Sequence, residues 1–259
     1  NKSQQPITPL RKYLSILLLF SLAFLETGIL TGLVPIPTFG QGMQINSLEK
    51  GLVGHWALDS ATGAKDLTPN GNHGTLTGTS FTTDRHGQAN KARSFNGTSD
   101  YVTLPSSFTP FGNANIQTIS MWVKFNTTSV AANGYIFSHA VTTDNNRVYI
   151  RQTATTNVIT GTIGSSDGTF CASGSYVAGV WYHIVLVRDA TNNMMIGYWN
   201  GAQVFNQAAT FGTKTSTTQS GIGSYNAGLS QLFSGSISDV RIYNRALTAA
   251  EGLSLYNGY

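Results

Sequence analysis

Carboxylate side chains are candidate catalytic groups, because a pair of carboxyl groups can hydrolyse a glycosidic bond by acid–base catalysis. The 259-residue chain contains three glutamates, Glu26, Glu49 and Glu251. They lie in an apolar segment, ahead of the first strand pattern, and at the start of a C-terminal helix pattern. No two aspartates stand two or four positions apart in a segment with strand periodicity. We therefore expect a protein without glycosidase activity.

Patterns for other chemistry or for nucleic acid binding are also missing from the sequence. It holds no H-x-x-x-H metal pair and no Gly-rich phosphate loop. The formal net charge is +4, but no run of Lys and Arg builds a basic patch, so nucleic acid is not expected as a partner. Cys171 is the single cysteine, and we interpret it as a small buried side chain. Together these observations predict a non-enzyme.

Glycan recognition needs exposed aromatic rings for stacking and nearby amide or carboxylate groups for hydrogen bonds. Four tyrosines lie near loops that contain asparagine, and we select them as candidate binding residues: Tyr135, Tyr149, Tyr176 and Tyr225. The loop asparagines are Asn133, Asn145, Asn146 and Asn226. The alternative is that these residues belong to the ordinary surface of a β-sandwich. The tryptophans fall within strand patterns and are predicted to be core residues: Trp56, Trp122, Trp181 and Trp199.

Strand periodicity dominates the chain from residue 51 onward. Apolar and polar residues alternate over 119–125, whereas 180–187 is apolar on both faces and predicts a strand covered on both sides. Asn200-Gly201 predicts a type I′ hairpin. One helix is indicated, at the C-terminus, where Thr248 and Glu251 have the spacing of a capping box. The sequence therefore predicts an all-β fold, a two-sheet antiparallel jelly-roll sandwich.

The segment GSISDVRIYNRAL at 235–247 resembles the C-terminal signature of the laminin-G-like, concanavalin-A-like jelly-roll domains. Six more segments similar to the family pattern stand in the expected order: GLVGHWALD at 51–59, DLTPNGNHGTL at 66–76, QANKARSFNGTSDYVTL at 88–104, ISMWVKF at 119–125, VWYHIVLVRD at 180–189 and MMIGYWNGAQV at 194–204. The resemblance implies a jelly-roll domain over residues 51–259.

The resemblance also implies a structural calcium ion. Many relatives hold Ca²⁺ with a loop like the one containing Asp66, Asn70 and Asn72, together with an acidic residue on the last strand, here Asp239. Calcium prefers six to eight oxygen ligands, which such a loop can offer. The departure is Pro69, where the family usually has glycine. The alternative is an Asx-rich turn in which Asp239 accepts backbone hydrogen bonds.

The segment Leu14 to Val34 is long and apolar enough to cross a bilayer. We predict a cytoplasmic segment over 1–13, a transmembrane helix over 14–34 and a linker over 35–50. Basic residues precede the helix, which places the N-terminus in the cytoplasm and the jelly roll in the periplasm or outside the cell. The alternative is a signal peptide whose apolar region spans Leu14 to Phe24.

Three residues in the predicted membrane helix are unlike lipid-facing side chains, namely Glu26, Gly28 and Gly32. A membrane carboxylate usually faces protein, and a GxxxG spacing lets two helices approach closely. The alternative places Glu26 at the outer interface. The favoured hypothesis is a membrane-anchored binding and assembly module, an accessory or structural subunit whose partners are the lipid bilayer and other membrane-protein subunits. A tethered carbohydrate-binding lectin is the alternative, and a pilin-like filament subunit is a third hypothesis.

Overall fold

This fold is built from short β-strands in which every second side chain points into a common core. The computed structural model describes residues 47–108, 117–139, 147–154, 157–164, 166–172, 174–211, 220–226, 228 and 230–258. Strands are numbered in chain order within these residues, and all their pairings are antiparallel.

Two sheets pack face to face. The strands of the first sheet are β1 (Leu52–Trp56), β3 (Ser80–Thr82), β4 (Ala92–Asn96), β6 (Gln117–Phe125), β11 (Trp181–Asp189), β12 (Met194–Trp199), β13 (Ala202–Ala208) and β15 (Ser234–Tyr243). Their order is β13-β12-β11-β6-β15-β4-β3, and β1 also pairs with β15. The second sheet contains β2 (Thr75–Thr77), β5 (Tyr101–Thr103), β7 (Gly134–His139), β8 (Val148–Gln152), β9 (Ile159–Ile163), β10 (Ser166–Cys171) and β14 (Gly221–Ile222). Its order is β10-β9-β8-β7-β14-β5-β2.

The main core lies between the inner faces of the sheets. From β6 it receives Ile119, Met121, Val123 and Phe125, as the alternation in the sequence predicts. Trp56 is fully buried there, with its ring edge-to-face against Phe108 at 5.3 Å. Cys171 is buried in the same cluster, in agreement with its interpretation as a small buried side chain. The predicted all-β, two-sheet antiparallel sandwich is therefore confirmed.

Helix α1 (Ala249–Asn257) covers part of the outer face of the first sheet. The Tyr256 ring stacks on Trp122 with centroids 5.6 Å apart. Val185 and Val187 on the same outer face form an apolar cluster with Tyr198, so β11 is covered on both faces, as predicted. The capping box is confirmed, since the Thr248 side chain accepts from the Glu251 backbone N–H and the Glu251 side chain accepts from the Thr248 backbone N–H.

The β12–β13 turn has the geometry that its sequence demands. Asn200 and Gly201 both have positive φ, 50° and 78°, which is the requirement of a type I′ turn. Asn200 Oδ1 also accepts from the backbone N–H of His183 at 2.8 Å, which ties the turn to β11.

One expectation about the core is wrong, and the prediction of a membrane helix stays open. Trp181 is not a core residue, since it is only half-buried and lies beside Lys124, whose Nζ is 5.4 Å from its ring centroid. The cause is its position on the outer face at the start of β11. The predicted membrane helix, with Glu26, Gly28 and Gly32, lies outside the described residues. Within the described residues, no helix is both long and apolar enough to cross a membrane.

Candidate functional site

The predicted calcium residues converge on His55, at the edge of the sandwich where β1 meets β15. The backbone N–H of His55 donates to Asp66 Oδ1 at 3.0 Å, and its ring Nε2 lies 2.8 Å from Asp239 Oδ1. Asp239 reaches this position because a β-bulge interrupts β15 between Ser238 and Arg241 and sets its φ to +53°. The bulge turns the carboxylate toward β1.

Hydrogen-bond donors surround both carboxylates. Asp66 is buried and accepts from the backbone N–H and the hydroxyl of Thr68 and from the backbone N–H of Asn72, at 2.9 to 3.0 Å. The amides of Asn70 and Asn72 both donate to the Val53 carbonyl at 3.1 Å. This loop is therefore a hydrogen-bonded Asx turn in which Asp66 accepts from loop N–H groups and the two asparagine amides bind to β1.

Asp239 is paired with cationic and donor groups. Arg241 Nε donates to its Oδ1 at 2.9 Å. Burial would raise the pKa of Asp239, but the His55 hydrogen bond and the Arg241 charge outweigh it and hold that pKa well below its usual range. No group of three or more His, Cys, Asp and Glu among the described residues could hold a metal ion. Both carboxylates accept hydrogen bonds in this arrangement, and calcium binding by Asp66, Asn70, Asn72 and Asp239 stays a prediction.

Three of the four predicted binding tyrosines meet in one cluster, which we call the tyrosine cluster: Tyr135, Tyr149 and Tyr225. The Tyr135 ring centroid lies 5.1 Å from that of Tyr149 and 4.8 Å from that of Tyr225. The cluster is separate from the main core. Since Val148 and Ile150 of β8 point into the core, Tyr149 lies on the outer face of the second sheet.

The fourth tyrosine lies elsewhere. Tyr176 belongs to the main core, where its ring centroid is 4.9 Å from that of Phe125 and its hydroxyl accepts from Gln152 Nε2 at 2.7 Å. All four tyrosines are buried, with exposed fractions of 2 to 9%. The expectation of freely exposed stacking rings is therefore not met by these residues.

An open cleft of about 440 Å³ lies at one end of the sandwich, and we call it the rim cleft. Loop residues at the ends of β4, β6 and β15 line it, together with the start of β7. Its polar lining consists of amides and hydroxyls: Asn96, Thr127, Ser129, Asn133, Gln231 and Ser234. The remaining lining residues are Gly, Ala, Val and Leu, so no titratable side chain is found among the described residues that line the rim cleft.

The rim cleft adjoins the tyrosine cluster. Gly134 lines the cleft and Tyr135 follows it on β7. The backbone N–H of Tyr135 donates to the Gln231 carbonyl at 3.1 Å, and Leu232 forms an isolated bridge with Tyr135. Asn133, one of the loop asparagines selected from the sequence, lines the cleft two residues before Tyr135.

The family model Laminin_G_3, described as the concanavalin A-like lectin/glucanases superfamily, matches residues 96–251. This chain belongs to that family. Three solved structures similar to this concanavalin A-like domain give it the same fold, at sequence identities that inform the fold alone. No curated protein matches the chain.

One similar structure is domain 4 of AbnA, a GH43 extracellular arabinanase from Geobacillus stearothermophilus, in complex with arabinotriose. It is 23% identical, with a TM-score of 0.59, and the match covers 79% of this chain and 98% of that domain. A second is the binding domain of Paraclostridial Mosquitocidal Protein 1, which is 16% identical with a TM-score of 0.64, and the match covers 81% of this chain and 52% of that chain. A third is the binding domain of botulinum neurotoxin DC in complex with rat synaptotagmin II, which is 13% identical with a TM-score of 0.58, and the match covers 80% of this chain and 51% of that chain. The chain thus spans about half the length of these toxin binding domains.

Two parts of this concanavalin A-like domain were not predicted from the sequence. The rim cleft combines loops that are more than a hundred residues apart, so no local pattern indicated it. Arg151 also went unnoticed, although alternation along β8 places it on the same face as Tyr149. That alternation was a signal that could have found it.

Proposed function

We propose that this chain is a non-catalytic binding module that holds a carbohydrate chain in the rim cleft. The observation that carries the proposal is the lining of the cleft. Amide and hydroxyl groups can donate to and accept from sugar hydroxyls, and a volume of about 440 Å³ is within the range of ligand sites. The presence of arabinotriose in domain 4 of AbnA supports the choice of a carbohydrate.

The absence of acid–base groups from the rim cleft favours binding over catalysis. Glycoside hydrolysis requires a proton donor and a second carboxylate beside the scissile bond. Twelve residues line the cleft within the described part of the chain, and none of these is Asp, Glu, His, Lys, Arg, Cys or Tyr. A sugar bound there would meet hydrogen-bonding groups without meeting a general acid.

The test is binding of the full chain to a panel of oligosaccharides, followed by calorimetry on the strongest ligand. Ala132 is an exposed lining residue, so Ala132→Trp should fill the cleft without disturbing the core. We expect the affinity to fall at least about tenfold, equivalent to about 1.4 kcal/mol. Ala89→Trp is the matched control, since Ala89 is exposed in a loop and does not line the cleft.

Equal affinity of the Ala132→Trp and Ala89→Trp variants would reject the rim cleft as the site. Release of shortened oligosaccharides would reject the non-catalytic role.

The proposal has further parts that depend on the sequence of residues 14–34. They are membrane anchoring, a periplasmic or extracellular location and membership of a larger assembly. Their test is extraction of the full chain from membranes with detergent and analysis of the proteins that co-purify. If a Glu26→Leu variant co-purifies with the same partners at unchanged yield, the helix serves as an anchor and does not bind those partners.

A further inference from the structure

Arg151 presents a positive charge on the outer face of the second sheet. Its Cζ lies 4.9 Å from the ring centroid of Tyr149 and 5.8 Å from that of Tyr135. Its Nη1 donates to the Tyr135 hydroxyl at 3.1 Å, and its Nε is 3.4 Å from Thr160 Oγ1. The aromatic rings and these two hydrogen bonds fix the orientation of the guanidinium.

The acidic partner of Arg151 is loosely placed. Nη2 is 3.7 Å from Asp167 Oδ2, which is longer than a hydrogen bond. The Asp167 side chain is 51% exposed, and its other oxygen accepts from the Thr162 hydroxyl. By contrast, Arg245 donates to both oxygens of Glu251 at 2.7 and 2.9 Å. Arg151 therefore keeps capacity for a second carboxylate, and 20% of its side chain is exposed.

Arg151 lies beside the rim cleft. It is the partner of Tyr135 in the β7–β8 register, and the neighbouring pair is Gln152 with Gly134, which lines the cleft. Adjacent pairs along a strand are separated by about 3.4 Å. An oligosaccharide that extends from the cleft along the outer face of the second sheet would follow the face on which the Arg151 side chain lies.

We infer that Arg151 is a carboxylate subsite, so that the preferred ligands of the rim cleft are acidic oligosaccharides that contain uronic acid. This inference rests on the proposed carbohydrate-binding function. Arginine recognises carboxylate through two parallel N–H···O bonds, and the ligand carboxylate would replace the weak contact with Asp167.

The experiment compares one oligogalacturonide with its methyl ester, in which each carboxylate is replaced by an uncharged ester group. Calorimetry on the full chain should show at least about tenfold tighter binding of the acid at low salt, and the difference should shrink as salt is added. Asp167→Asn should tighten binding of the acid several-fold, because a competing carboxylate is removed, and should leave the ester unchanged.

Arg151→Gln should abolish the preference for the acid while the ester still binds. Since this variant also loses a hydrogen bond to Tyr135, the exposed Asp167→Asn variant keeps the inference testable if Arg151→Gln fails to fold. Equal binding of acid and ester, or an Asp167→Asn variant that binds the acid no better, would overturn the carboxylate subsite alone. Binding of neither ligand, nor of any neutral oligosaccharide, would overturn the proposed function as well.

Discussion

Acid should destabilise this domain through His183. The ring is buried on the outer face of the first sheet, packed against Trp122 and Tyr256, and its Nε2 lies 2.9 Å from Ser120 Oγ. Burial lowers the pKa of His183 to about 3. The positive charges of Arg85 and Arg241 act in the same direction, and Asp239 opposes them.

The sign and size of the effect follow from proton linkage. The unfolded chain has the higher pKa, about 6.5, so it binds the proton first and gains stability relative to the fold as pH falls. The contribution of His183 is fully present above about pH 6.5 and is lost between there and about pH 3. Two units below 6.5, at about pH 4.5, the free energy of unfolding should be lower by about 2.7 kcal/mol.

The assay is urea unfolding of the wild type and of His183→Gln at about pH 7, 5.5 and 4.5. The variant should lose less stability than the wild type over this range, and the difference isolates His183 from other titrating groups. His86→Gln is the matched control, because His86 is exposed, and it should follow the wild type. Parallel pH dependence of the wild type and His183→Gln would refute the reasoning.

Two further expectations concern calcium and the C-terminal helix. If the residues at Asp66 and Asp239 hold calcium as predicted, excess calcium should raise the melting temperature above that in EGTA, and Asp66→Ala or Asp239→Ala should remove the rise. Equal melting temperatures in EGTA and in calcium would reject the site. Thr248→Ala should cost about 1 kcal/mol in urea unfolding, since the first turn of α1 loses its cap, and an unchanged midpoint would mean that the cap contributes nothing.

The sandwich could be predicted because its signals are local. Alternation along β6 and the Asn200-Gly201 pair each depend on a few consecutive residues. The bulge at Asp239 also has a local signal, although it was not used: the polar pair Ser238 and Asp239 separates the core residues Ile237 and Val240 and shifts the alternation by one residue. The hydrogen-bond partner of Asp239, His55, is 184 residues away, so this contact depends on sheet topology that the pattern of one strand does not contain.

The candidate site was predicted in part for the same reason. Tyr135 and Tyr149 meet because β7 and β8 are neighbours joined through a short connection. Tyr225 joins them from a segment that follows β14, and nothing in its own neighbourhood indicates that contact. Tyr176 was selected because it also lies near a loop, but its side chain points into the core, where its ring packs against Phe125 and its hydroxyl accepts from Gln152.

The location of α1 determines how the domain can be handled in experiments. Because α1 ends against the outer face of the first sheet, where Gly258 lies near Arg85, the C-terminal end of the helix is on the side of the sandwich opposite Arg151. A fluorophore or a sensor surface attached through the C-terminal residues would therefore leave the outer face of the second sheet directed toward solution. The domain can be immobilised in a single orientation while a dissolved polysaccharide retains access to Arg151.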